Sequence, residues 1–169
     1  GRYLDPNVIF LRSPGDEPTA LLLQQALRES KAGDSHAAHA TIERARAVNR
    51  GFFEVDRVEA FITGFRHDTD KAMTLYRSAL GDCATEEERA WVGYFYAGLL
   101  ARQTTDLAGA IRFTEKAHEL FHCFDSALQL GNFYVWDHRF EEGAQLIELA
   151  LKLAPGKPRF ERAATSWLV

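Results

Sequence analysis

Residues 124–155 read FDSALQLGNFYVWDHRFEEGAQLIELALKLAP, two helix-length stretches joined by a short polar turn. In the second stretch Gly143 and Ala150 stand seven residues apart. Seven residues make two turns of α-helix, so the pair leaves two small side chains on one face, where a neighbouring helix backbone can approach closely. The same spacing recurs upstream as Ala110 with Ala117, Ala72 with Ala79 and Ala38 with Ala45. The leading residues of the four pairs are separated by 34, 38 and 33 positions, a period that points to stacked helical hairpins rather than one globular core.

Start and stop signals divide the chain accordingly. Residues 1–18 carry Pro6, Pro14, Gly15 and Pro18 and read as a non-helical leading segment, in which Val8, Ile9, Phe10 and Leu11 can pack down. Helices are expected at about 19–31 and 36–48, separated by Gly33-Asp34-Ser35, and at about 53–65 and 71–80, separated by a turn with two potential aspartate caps. Thr85 with Glu88 forms a capping box, which starts the next helix near residue 86 and carries it to about 102. The long spacing of 38 is thereby absorbed as an added helical turn. Asp106 precedes a helix at about 107–121, the quoted stretch supplies 124–136 and 140–153, and Pro158 opens a last helix. The resulting units are about 19–52, 53–86, 91–123 and 124–157.

Composition narrows the class of function. The chain has 169 residues, is 46% hydrophobic and carries a net charge of -4 without long blocks of either sign, which offers no footprint for nucleic acid or an anionic membrane. No run is long and apolar enough to span a bilayer. Cys83 and Cys123 have neither metal-type spacing nor the density of a disulfide framework, so a reducing, cytoplasmic setting is the default. The chain begins without methionine, its single one being Met73, and is expected to be a processed product or a piece of something longer.

Ala127, Leu130, Gly131, Tyr134, Phe140, Gly143, Ile147, Ala150 and Pro155 of the quoted stretch resemble the tetratricopeptide repeat nearly position for position. Tyr94, Ala97, Gly98, Ala110 and Ala117 carry the likeness into the third unit, with tyrosine where the family usually has tryptophan. The second unit keeps Ala72, Tyr76 and Ala79, but Val55, Val58 and Ile62 fall one residue out of frame. The first keeps Ala38, Ile42 and Ala45. The resemblance covers about 19–157 and implies an all-α solenoid of stacked antiparallel hairpins, with 158–169 as a cap or the first half of a fifth repeat.

It also implies a non-catalytic module that binds a protein or peptide on a concave face lined by the first helix of each hairpin. Carried over by position, that face holds Arg57, Phe61 and Phe65 in the second unit and Val92, Phe95, Leu99 and Arg102 in the third. Asp125, Leu128, Asn132, Val135 and Trp136 follow in the fourth. Aromatic and arginine side chains are the usual anchors of interfaces, although burial between hairpins is the competing fate of any one aromatic. The second function considered is a sensor or regulatory domain of a larger signalling protein such as an ATPase.

Residue patterns for chemistry are weaker. His118, His122 and Cys123, and separately His36 and His39, have spacings compatible with a metal, but histidines in a last helical turn are explained by the helix dipole. Glu86, Glu87 and Glu88 fall in a first turn, where negative charge is favourable. Neither a phosphate-binding loop nor a catalytic constellation is present in the sequence, so no enzyme activity, metal or cofactor is expected. Self-association is left open.

Overall fold

Eight α-helices occupy the residues described by the computed structural model, Leu4–Leu153. They are α1 (Glu17–Lys31), α2 (Ser35–Val48), α3 (Phe53–Phe65), α4 (Thr69–Asp82), α5 (Glu86–Gln103), α6 (Leu107–Phe121), α7 (Phe124–Trp136) and α8 (Phe140–Leu153). A 3-10 turn at Pro14–Asp16 precedes α1. The helix expected after Pro158 lies outside the described residues. No helix among those described is long and apolar enough to cross a membrane.

Local chemistry sets the helix ends. Asp34 and Asp106 cap α2 and α6 through their carboxylates, which accept the Ala37 N–H at 3.0 Å and the Gly109 N–H at 2.8 Å. The turn between α3 and α4 is made differently from expectation. Asp68 sits at the N-cap without a side-chain bond, and the reversal comes from the main chain, with His67 at φ 63°. His138, at φ 62°, does the same between α7 and α8. α5 has 18 residues, against 13 to 15 in the other helices, so the irregular spacing is an extended helix. At its start the Thr85 hydroxyl accepts the Glu88 N–H at 3.1 Å. The Glu88 carboxylate turns to other partners described below.

The paired small residues sit where helices meet. Ala38, Ala45, Ala72, Ala79, Ala110, Ala117 and Ala150 are at most 1% exposed, and Gly143 is buried. α7 and α8 approach most closely at Gly131 and Gly143: a methyl group on either would lie 2.9–3.0 Å from the other's carbonyl oxygen. α5 and α6 meet where Gly93 faces the Phe113 ring, which also lies 5.3 Å from Tyr96.

The chain divides into two compact units, one made of Asp5–Val92 and the other of Gly93 onward together with Leu4. The first contains the hairpins α1–α2 and α3–α4 and the start of α5. Within it α3 departs from the pattern of an amphipathic helix with one wet face. Val55, Val58 and Ile62 are buried as packing residues, and Glu54, Asp56, Arg57 and Glu59 are buried as well. Arg46 of α2 covers one polar side by pairing with Asp56 at 2.6 Å and with Glu59. The Ser78 hydroxyl donates to the second Asp56 oxygen at 2.6 Å. The leading segment covers another side.

Candidate functional site

In the first unit the site is built on Phe53, Glu54 and Arg57 of α3, with Glu88 and Trp91 from the first turns of α5. Arg57 and Glu54 are both 0% exposed and form an ion pair one helical turn apart, with Nε–Oε1 at 2.8 Å and Nη2–Oε2 at 2.6 Å. Two fully buried charges carry a desolvation cost that only further hydrogen bonds can offset. Those bonds go to the main chain of residues 6–10. Arg57 donates through Nη1 to the Pro6 carbonyl at 2.8 Å and through Nη2 to the Val8 carbonyl at 3.0 Å. Glu54 accepts the Phe10 N–H at 3.0 Å and the Trp91 indole N–H at 3.1 Å.

The three main-chain groups held by α3 belong to residues 6, 8 and 10, with Pro6 and Asn7 inside a turn closed by the Val8 N–H on the Asp5 carbonyl at 3.1 Å. Side chains then choose position. The Phe10 ring lies 6.0 Å from Phe53 and 5.7 Å from Trp91. Arg12 donates to Glu88 through Nε at 2.7 Å, donates to the Asp82 carbonyl, and stacks its guanidinium 4.9 Å above the Phe53 ring. Glu88 is 2% exposed and also accepts the Ala84 N–H. Asp16 ends the segment by accepting the N–H groups of Arg12 and Ser13.

These positions revise the sequence expectation for Arg57. Its guanidinium is not open to a partner, because residues 6–10 of the same chain cover it and it is 0% exposed. Phe61 is half-buried, and Phe65 is the most exposed large apolar side chain of the helix, at 79%. Glu54, Glu88, Trp91, Phe10 and Arg12 were not singled out as binding residues. The available signals were the Glu54–Arg57 spacing in a helix that carries Asp56 and Glu59 among apolar residues, and the apolar run Val8–Leu11.

In the second unit Phe95 and Leu99 are buried, and Arg102 and Trp136 are exposed. Asp125 accepts the Leu4 N–H at 3.0 Å. Asn132 is half-buried, and its Oδ1 is shielded from solvent without a hydrogen-bond partner among the described residues. Gln129, not singled out in the sequence, ties three helices by donating to the Tyr94 carbonyl at 3.0 Å and the Thr114 hydroxyl at 3.1 Å.

The histidine patterns are absorbed by local structure. The rings of His118 and His122 stack at 4.8 Å, and His118 Nδ1 lies 2.8 Å from the Ser126 hydroxyl. Because that hydroxyl accepts the Cys123 N–H and donates to the Cys123 carbonyl, the arrangement suits a hydrogen on Nδ1. His36 and His39 are exposed. His39 approaches Glu43 and Glu59, but those carboxylates already face the Arg46 guanidinium and the Lys71 ammonium. Burial, with the charge of Glu88 nearby, pushes the Cys83 thiol up to about 12, so it is not a thiolate nucleophile at neutral pH.

Desolvation and then the neighbouring His122 lower the His118 pKa below its ordinary value. The unfolded chain therefore binds a proton that the folded chain resists, and stability falls as pH drops through about 6.5 toward the lower folded value. His118→Gln should flatten the decline in Tm between about pH 7 and pH 5; an unchanged pH dependence would remove His118 as its source.

No protein-family model matches the chain, and no curated protein is similar to it in sequence. Solved structures are similar in fold. One described as a functional characterization of Pseudomonas aeruginosa PilF superposes with a TM-score of 0.78 at 18% identity, covering 92% of this chain and 70% of that one. PilW, described as a widely conserved type IV pilus biogenesis factor, gives 0.74 at 17% identity, covering 90% of this chain and 78% of its own. MamA from Desulfovibrio magneticus RS-1 gives 0.69 at 14% identity, with 93% and 85% covered. The fold is therefore an all-α array of tetratricopeptide-like hairpins.

Proposed function

We propose that the protein is a non-catalytic interaction module that takes up polypeptide segments through their main chain. One observation carries this reading: α3 holds residues 6–10 through main-chain carbonyls and an N–H, using a buried Arg57–Glu54 pair. Main-chain recognition gives affinity, and flanking aromatic or charged side chains give choice, as in other modes of peptide recognition. Tetratricopeptide-like neighbours from pilus biogenesis and from the Cut9–Hcn1 complex of the APC/C are consistent with a protein-interaction scaffold.

In this reading Phe61 extends the α3 surface. Arg102, Asp125, Asn132 and Trp136 form the corresponding partner-binding surface of the second unit, with the buried Phe95 and Leu99 packed beneath it. Arg102 and Trp136 are its exposed anchors, and the Asn132 Oδ1 is an acceptor for a ligand N–H. The test is a peptide array probed with the wild type and with Arg102→Ala, Asn132→Ala and Trp136→Ala variants whose folding is checked by circular dichroism. Binding weakened by about tenfold or more in at least one variant is expected for an interface anchor. Equal binding by all folded variants would move the surface elsewhere.

A further inference from the structure

The leading segment has the features of a bound ligand. It turns at Asp5–Val8 and otherwise forms neither helix nor strand up to residue 12, and its Pro6, Val8 and Phe10 main-chain groups bond to α3 side chains. Val8 and Leu11 point outward, at 47% and 44% exposure. Selectivity is concentrated at two positions: an aromatic ring seated between Phe53 and Trp91, and, two residues later, a guanidinium held by the buried Glu88 and the Phe53 face.

A buried Arg–Glu pair is a poor device for stability alone, since apolar side chains of similar size commonly do as well. Here the pair supplies hydrogen bonds toward a groove. Those groups would be satisfied equally by the main chain of any segment with the same pattern.

We propose that residues 5–12 are a displaceable intrachain occupant of this groove, and that the partner displacing them is a segment of another protein that repeats the Asp5–Val8 turn and carries an aromatic residue followed two positions later by arginine. The inference rests on the peptide-binding reading above and adds the ligand class and the regulation. While the leading segment is in place, the groove is open in only a fraction of molecules, and apparent affinity falls by that fraction. A partner must therefore compete with a tethered copy of its own motif.

The probe is a fluorescein-labelled peptide, Asp-Pro-Asn-Val-Ile-Phe-Leu-Arg, titrated against the full chain by fluorescence anisotropy. Arg12→Ala, at an exposed position, loosens the occupant without emptying the core, and Phe10→Ala with Arg12→Ala loosens it further. The expected result is binding about tenfold tighter to the loosened variants than to the wild type. The advantage should be lost when Glu88→Gln is added or when the peptide carries alanine for its Phe or its Arg. Should the double variant fail to fold, Arg12→Ala alone decides.

Equal affinity of wild type and Arg12→Ala, or equal binding of the alanine-substituted peptide, would overturn the proposal. A concentration-dependent dimer of Arg12→Ala in sedimentation, with no peptide binding, would also overturn it by assigning the groove to a second copy. If this peptide fails while array peptides sensitive to Arg102→Ala, Asn132→Ala or Trp136→Ala bind, the interaction function stands and only the displaceable occupant falls.

Discussion

Replacing Arg57 with methionine should lower the unfolding free energy by about 3–5 kcal/mol, the range for removing one partner of a buried ion pair. The substitution keeps most of the side-chain volume but leaves the Glu54 carboxylate, 0% exposed, with the Trp91 and Phe10 N–H groups and no cation in contact. It also releases the Pro6 and Val8 carbonyls. Urea unfolding checks the size of the loss. Combining Arg57→Met with Glu54→Gln should recover part of it, because the second change removes the stranded charge, and the double-mutant cycle isolates that coupling. A loss below about 1 kcal/mol, typical of an exposed pair, would mean that water reaches the pair and that the leading segment does not cover it.

The second large effect is expected at the α7–α8 crossing. Alanine at Gly131 would bring its methyl 2.9 Å from the Ile147 side chain and 3.0 Å from the Gly143 carbonyl. Alanine at Gly143 would meet the Gly131 carbonyl at 2.9 Å and Val135 at 2.7 Å. A backbone carbonyl cannot rotate away as a flexible side chain can, so the helices must separate, at a cost of about 1–3 kcal/mol for either change. The double substitution should cost less than the two singles combined, because one separation relieves both contacts. Gly81 near the end of α4 provides the control: nothing lies within 4 Å of the added methyl, and alanine there should be neutral or stabilise by up to about 1 kcal/mol. Thermal unfolding of the three single variants tests the contrast, and similar losses at all three positions would remove close approach as the explanation.

The contrast between these predictions follows what each residue's surroundings depend on. The glycine crossing was readable because it is a matter of helical period: Gly143 and Ala150, seven apart, must share a face, and a face of small residues invites a neighbouring backbone. The caps at Asp34 and Asp106 were readable because their partners lie three residues away. At Asp68 the same logic failed, since the main chain of His67 closed the turn without using the carboxylate.

Arg57 marks the limit of such reading. The family resemblance carried it onto the groove-lining side of α3, and this made it a candidate for contact with a partner. Its hydrogen bonds instead reach residues 49 and 51 positions away, at carbonyl oxygens that every residue type carries. A main-chain acceptor leaves no side-chain signature, and the turn that supplies it has no period by which its carbonyls could be assigned to a helix. The sequence by itself determined the eight helices within Leu4–Leu153 and the small-residue faces of α2, α4, α6 and α8, because caps and small-residue spacing act over a few residues. Only the tertiary structure decided that residues 6–12 lie on α3 and the start of α5, because that choice depends on desolvated charges finding main-chain partners far along the chain.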